Sequence, residues 1–422
     1  MTSTLSAATL DQKLDAAASK VEPSVIACRR DIHQHPELGN REIRTSKLIA
    51  DKLKSLGIEV KTPIAHTGVV GVLKGGKPGR VVALRADMDA LPVVEQVDVP
   101  FKSTVKTTYN GQEVGVMHAC GHDAHVAILI GVAEVLAGVR DEIPGTVKFL
   151  FQPAEEGAPE GEEGGASLMV KEGALENPNA DAVFGLHVTS RYPVGQIAYR
   201  PGAELAAVDE FKIVVHGKQT HGAYPWLGVD PIVIASQIVL GLQTIASRQL
   251  DASLAPAVVT VGAIRGGVRF NIIPDSVEMI GTIRSLDEKM RDDIHARIKR
   301  TAESIAASAG ATADVTINRK DPVTYNDPAL TEAMTPTLKK LTSDVITVNP
   351  TLGGEDFSFY QQKVPGLFIW LGTRPKNQTA EEAASNHSPL FYVDESGLGL
   401  GVRALSHLAV DYLRDISRTR PQ

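Results

Sequence analysis

The chain has 422 residues, 43% of them apolar and 22% charged, with a formal charge of -7, which is ordinary globular composition and enough length for two or three domains. Lys and Arg are scattered without a basic stripe, which argues against nucleic acid as a partner, and no apolar run approaches the roughly 20 residues of a membrane span. The 2 cysteines, Cys28 and Cys120, do not make a disulfide framework.

The opening segment, MTSTLSAATLDQKLDAAASK, lacks a basic start followed by an apolar core. It therefore does not read as a secretory leader, and the expected compartment is the cytoplasm, or the periplasm if a leader has been trimmed. Further on, EIRTSKLIADKLKSLG carries Ile49, Leu53 and Leu56 at helical spacing and stops at Gly57. The period then changes. GRVVALRADMDALP, GTVKFLFQPAEEG and ADAVFGLHV are short apolar runs that predict buried strands, ending respectively in Asp87 and Asp89, in Glu155 and Glu156, and in His187. Between the first two runs, HVAILIGVAEVLAGV predicts a long apolar helix. The alternation implies an α/β fold with a mixed, mainly parallel sheet flanked by helices, whose ligands collect beyond the carboxyl ends of the strands. The polar residues fall at those ends.

From about Gly202 the order becomes strand, helix, strand, strand, helix, strand, ending in ATADVTIN, which is the order of a ferredoxin-like unit. This predicts an inserted domain over 203–318 within a discontinuous first domain of 1–202 and 319–422. The biased stretch EEGAPEGEEGG reads as a mobile acidic loop.

Cys120 lies between His118 and His122 ahead of the long helix, and three chemistries fit it. A helix N-terminus lowers a thiol pKa, so a cysteine nucleophile with a histidine base is one reading. A buried structural thiol is another, although it leaves the histidines unexplained. A metal site accounts for more: Cys-x-His, two adjacent glutamates and His187 supply thiolate, imidazole and carboxylate, the donors a Zn²⁺-like ion takes. One glutamate can bind metal while its neighbour moves a proton.

In order along the chain, RRDIHQHPELG, RADMDALP, MHACGHDAH, FQPAEEG, FGLHV, HGAYPWLGVDP, NIIPDSVEMIGTIR, GGEDFSFY and NHSPLF resemble the M20 metallopeptidase family, specifically its amidohydrolase branch of hippurate hydrolases, aminoacylases and indole-acetyl-amino-acid hydrolases. The resemblance runs from about residue 25 to 412. It implies Cys120, His122, Glu156, His187 and His387 as ligands of two divalent ions, Zn²⁺ or Mn²⁺ and possibly Co²⁺, with Cys120 bridging them. It implies Glu155 as general acid/base and Asp89 as a supporting catalytic residue that orients a ligand. His118 and His125 receive packing or hydrogen-bonding roles. In the inserted lid domain, the resemblance gives His221 an oxyanion role across a dimer and makes Asn271 and Arg284 binders of the substrate carboxylate.

The function so implied is hydrolysis of N-acyl-L-amino acids by metal-activated water, in a homodimer or higher homo-oligomer that uses neither nucleic acid nor membrane. Two other readings remain open at this point: a dipeptidase or carboxypeptidase with the same site, and a non-catalytic metal-dependent binding protein. The acidic loop after Glu156 is longer than the branch pattern leads one to expect.

Overall fold

A computed structural model describes residues 8–415, so the first seven residues of the segment read for a leader lie outside it. Two compact units are present: Met1–Gly202, Tyr325–Val348 and Phe359–Gln422 form the first, and Ala203–Thr324 with Asn349–Ser358 the second. The second unit thus takes in 319–324 and 349–358, beyond the expected 203–318.

The first unit begins with the helix Leu10–Gln34, which sequence reading did not anticipate. Its start is set by a capping box in which Thr9 and Gln12 exchange side-chain and backbone hydrogen bonds. The expected helix forms over Ile43–Ser55, and Gly57 follows with φ +68°, a left-handed conformation that glycine adopts without a Cβ clash. Eight strands form one sheet in the order 59–64, 68–74, 144–152, 77–87, 182–193, 366–374, 197–199 and 345–347. Its four central strands run parallel, and the strands beyond them add antiparallel pairings. The helix His122–Gly138 is apolar on nearly every side because it is buried on nearly every side, among Leu10–Gln34, Leu398–Arg414 and the sheet. Register aligns the functional strand ends: Asp87 pairs with Gln152, and Arg85 pairs with Gly185, two residues before His187. His187 does not end its strand, which continues to Pro193 because Val188 and Thr189 keep pairing with Leu371 and Gly372.

The second unit has a four-stranded antiparallel sheet in the order 257–266, 276–285, 207–216, 312–319, with helices Pro231–Thr244 and Glu288–Ser308. Its own core joins Phe211, Ile213, Ile238, Met279 and Ile294. The chain order is the expected strand-helix-strand-strand-helix-strand. One expectation needs amendment: the helical stretch Pro231–Gln249 is long and apolar enough, by length and composition, to cross a membrane. Its Ile234, Ala235, Ile238, Leu242 and Ile245 are buried in the second unit's core, which accounts for that composition.

Candidate metal centre

The first unit gathers the predicted donors at the sheet's carboxyl end. Cys120 and His122 flank Gly121, the cap of the helix His122–Gly138. Gly121 has φ +90°, and a Cβ there would come within 2.3 Å of Val188 Cγ2, so the Cys-Gly-His spacing depends on its missing side chain. His122 Nδ1 donates to the Asp89 carbonyl at 2.9 Å, with Asp89 Oδ1 3.3 Å away. This turns Nε2 to the site, where it has no hydrogen-bond partner among the described residues. His187 Nδ1 donates to the Val188 carbonyl at 2.7 Å and turns Nε2 to within 3.3 Å of Cys120 Sγ. His387, held at φ +71°, brings its Nε2 to 3.3 Å from the same sulfur and 3.0 Å from Glu156. Asp89 is the tie between elements, since its Oδ2 also accepts from the Glu156 backbone N–H at 3.0 Å.

Donor atoms of Cys120, His122 and His187 lie within 4.8 Å of one another, as do those of Cys120, Glu156 and His387 and those of His122, Glu155 and Glu156. Cys120 belongs to two of these triads. Donors bound at about 2.0–2.3 Å around one tetrahedral ion sit roughly 3.3–3.7 Å apart, so the 3.3 Å sulfur-to-imidazole separations suit a metal. The electrostatics agree. Burial opposes a charge on His122, but Asp87 and Cys120 outweigh it and hold the imidazole well above its ordinary pKa. Contacts with Cys120 and Glu156 push His387 up to about 10. Burial and the neighbouring His125 push His187 down, while burial and Glu156 push the Cys120 thiol up. The site carries surplus negative charge that draws in protons, and a divalent ion answers the same demand.

His125 is not a donor for such an ion, because both ring nitrogens are used: Nδ1 faces Asp87, and Nε2 accepts from the Val188 N–H at 2.8 Å. Asp87 is in turn paired with Arg85 at 2.6 Å. His118 is buried with no hydrogen bond to either ring nitrogen among the described residues, and burial pushes it down to about 3, so it is neutral packing. Asn386 went unread in the sequence. Its amide donates to the carbonyls of Cys120 and Val188, both at 3.1 Å, and stitches the His387 loop to the two ligand segments. NHSPLF shows the residue but not that reach. Cys28 and Cys120 are both free thiols.

A cavity of about 550 Å³ reaches Asp89 and Glu156 and is walled by apolar Leu38, Leu91, Pro92, Val105 and Val116 together with polar Arg41, Lys106, Thr107, Thr108 and Asn110. Its other carboxylate, Glu37, is already engaged by the backbone N–H groups of Arg44 and Thr45, both at 2.9 Å.

Residues 83–411 match the model of peptidase family M20/M25/M40. The chain belongs to this family. It is 45% identical over 405 residues to thermostable carboxypeptidase 2 of Saccharolobus solfataricus, covering 96% of this chain and 99% of that protein. It is 40% identical over 393 residues to N-acetylcysteine deacetylase of Bacillus subtilis, covering 93% and 97%. Among solved structures, a dinuclear metal-binding peptidase of the M20 family from Bacillus subtilis matches with a TM-score of 0.79 at 37% identity, over 94% of this chain and 100% of that one. The protein is accordingly a metal-dependent hydrolase of small amide or peptide substrates.

The remaining predicted residues lie in the second unit. His221 pairs with Ile272, and its Nδ1 accepts from the Ala223 N–H at 3.0 Å. The Gly222 N–H donates to the Asn271 carbonyl at 2.8 Å, so the structure brings His221 and Asn271 together. Arg284 is half-buried on the strand Ser276–Ser285, and burial lowers its pKa against the opposing pull of Asp321 and Asp209.

Proposed function

We propose that the protein hydrolyses N-acyl-L-amino acids to a carboxylate and a free amino acid, using two divalent ions held by Cys120, His122, Glu156, His187 and His387. The observation that carries this reading is Cys120, shared by two donor triads while Glu155 stands in a third beside Glu156. When bound, the ions polarise the substrate carbonyl and bring water acidity to about pKa 7. Glu155 takes the proton from the attacking water as the O–C bond forms, then returns it to the leaving nitrogen as the C–N bond breaks. Asp89 holds His122 in the tautomer that keeps Nε2 free and fixes the Glu156 backbone.

The acyl group is favoured over a free α-amine by the cavity beside Glu156. Its one carboxylate away from the site is already occupied, and the charged side chains beside it are the cations Arg41 and Lys106, so it offers a protonated amine no free counter-charge. Peptidase activity is the second reading, favoured by likeness to a carboxypeptidase. Dimerisation through the second unit is supported by exposed apolar side chains there: Val268 is 97% exposed, Phe270 95%, Leu254 74% and Leu240 71%. In that dimer His221 stabilises the oxyanion, and Asn271 and Arg284 hold the substrate carboxylate.

The test is amine release from N-acetyl, N-benzoyl and indole-acetyl amino acids beside unblocked dipeptides, after chelation and after restoring Zn²⁺ or Mn²⁺. Metal-restored cleavage of acylated substrates over dipeptides is expected. A preference for dipeptides moves the protein to the peptidase reading, and no turnover with metal bound moves it to the binding-protein reading.

A further inference from the structure

Just after the motif RRDIHQHPELG, the stretch NREIR carries Glu42, a carboxyl group that the reaction does not itself use. Glu42 is fully buried where the helix Ile43–Ser55 begins, and the Ser46 N–H donates to its carbonyl at 2.8 Å. Its side chain crosses to another element. Oε1 accepts from the Ala154 backbone N–H at 2.9 Å, and Oε2 meets Thr67 Oγ1 at 2.6 Å. Ala154 immediately precedes Glu155 and Glu156 and has φ +51°, a left-handed conformation strained for any residue with a Cβ. The turn is also packed tightly: a Cβ on Gly39 would lie 3.1 Å from Ala154 Cα and 2.9 Å from the Gly157 carbonyl.

We propose that Glu42 is a positioning residue for Glu155, holding Ala154 in its left-handed conformation so that the turn presents Glu155 and Glu156 together. The physical case has two parts. Without the acceptor, a buried N–H loses its partner and the strained φ loses its compensation, so the turn relaxes by rotating the peptide that leads into Glu155. Burial and the nearby Asp89 carboxylate also push Glu42 up to about 8, so a neutral side chain fits the site if it keeps an acceptor for the Ala154 N–H and turns a donor to Thr67 Oγ1, the Thr67 hydroxyl then accepting instead of donating. Glutamine is such a side chain.

The inference rests on Glu155 as the acid/base, and the experiment separates the two ideas. Glu42→Ala, Glu42→Leu, Glu42→Gln, Ala154→Gly, the Glu42→Ala/Ala154→Gly double variant and Glu155→Gln are compared as metal-loaded enzymes for kcat, KM and bound metal. Hydrogen exchange at the Ala154 amide is followed alongside. Glu42→Ala and Glu42→Leu are expected to lose about 10²-fold in kcat, the scale on which a small misplacement of a catalytic group acts, with KM and metal content retained and the Ala154 amide exposed to exchange. Glu42→Gln is expected to keep kcat within about threefold because it keeps both bonds. Glycine takes positive φ without strain, so adding Ala154→Gly to Glu42→Ala is expected to recover about tenfold of the loss.

Wild-type kcat in Glu42→Ala with Glu155→Gln inactive overturns the Glu42 role alone. Full turnover in Glu155→Gln overturns the acid/base reading beneath it. If neither Glu42→Ala nor Glu42→Leu can be recovered folded, or if both lose metal and the double variant recovers nothing, Glu42 serves the fold and the proposal fails.

Discussion

Each unit buries a cluster of acids, imidazoles and arginine, yet the two clusters are built to opposite ends. In the second unit, Asp209 accepts from Arg291 Nε at 2.9 Å, meets His295 Nε2 at 2.6 Å, and accepts from the Lys320 backbone N–H at 3.2 Å. Arg291 spends another nitrogen on Glu288 at 3.1 Å. Charges there are matched, and Asp209 is held well below the usual carboxylate range: burial opposes ionisation, and Arg291 and His295 overcome it. In the first unit, Arg85 answers Asp87, and Asp89, Glu155, Glu156 and Cys120 surround histidines whose Nε2 atoms face inward. Burial of polar side chains therefore does not separate a site from a scaffold. The separating feature is convergence: the donor atoms of Cys120, His122, His187, Glu155, Glu156 and His387 fall into overlapping triads within 4.8 Å, beside a surplus of negative charge, and His122 Nε2 has no hydrogen-bond partner there among the described residues.

The comparison breaks first at Glu155. Glu155→Gln is expected to lower kcat by about 10²–10⁴-fold with metal content unchanged, the usual worth of a positioned general acid/base. Full activity in that variant removes Glu155 from the mechanism. Next comes the matched cluster. Asp209→Ala leaves Arg291 buried with one carboxylate partner fewer and is expected to cost about 3–5 kcal/mol of second-unit stability, read from denaturant unfolding, while metal content stays at the wild-type level. Loss of metal with Asp209→Ala would show that the two clusters are not separate in role. Third, Cys120→Ser removes the donor common to two triads and is expected to weaken metal binding about 10²-fold or more, measured as metal retained after dialysis. Normal metal content with abolished turnover would instead revive the cysteine nucleophile.

How far these features could be read beforehand depended on the range of the interaction. Helix periodicity at Ile49 and Leu53 and the stop at Gly57 are local, and they placed Ile43–Ser55. The strand ends at Asp87 and before Glu155 were legible for the same reason, as was Cys-x-His. Two local signals were nevertheless passed over: the Thr9–Gln12 capping box, and the Asn110–Gly111 turn, whose successive positive φ angles of 49° and 77° close the hairpin Lys106–Gly115. Long-range ties left no local pattern. Asn386 reaches Cys120 and Val188, and nothing in NHSPLF encodes that distance. The acidic stretch is the loop its composition indicated, and composition did not show that Glu162 accepts from Arg41 at 2.6 Å and from Asn40 at 3.0 Å. Composition reports what a segment can do in water, and the partner that restrains it lies more than a hundred residues away.

The smallest effect separates a metal site from a structural one by proton count. Without an ion, His387 holds its proton up to about pH 10 because Cys120 and Glu156 stabilise the imidazolium, and the Cys120 thiol is also raised, by burial and Glu156. A ligand must shed its proton to bind, so an incoming ion competes with protons at both groups and at His122, whose imidazole Asp87 and Cys120 also hold protonated. The sign follows: below about pH 10 each unit of rising pH multiplies the unprotonated His387 fraction about tenfold, so apparent metal affinity rises by about that factor per unit and levels off above it. Displacing the thiol and His122 protons as well steepens the slope by up to one further decade per unit for each proton. Chelator competition between pH 6 and 9 gives this slope, and calorimetry in buffers of different ionisation enthalpy counts the protons released. A flat affinity would mean that the ion does not bind through His387 or Cys120. Asp209, His295 and Arg291 provide the contrast: with their charges already matched within the protein, changing the metal concentration should leave their contribution to stability where it was.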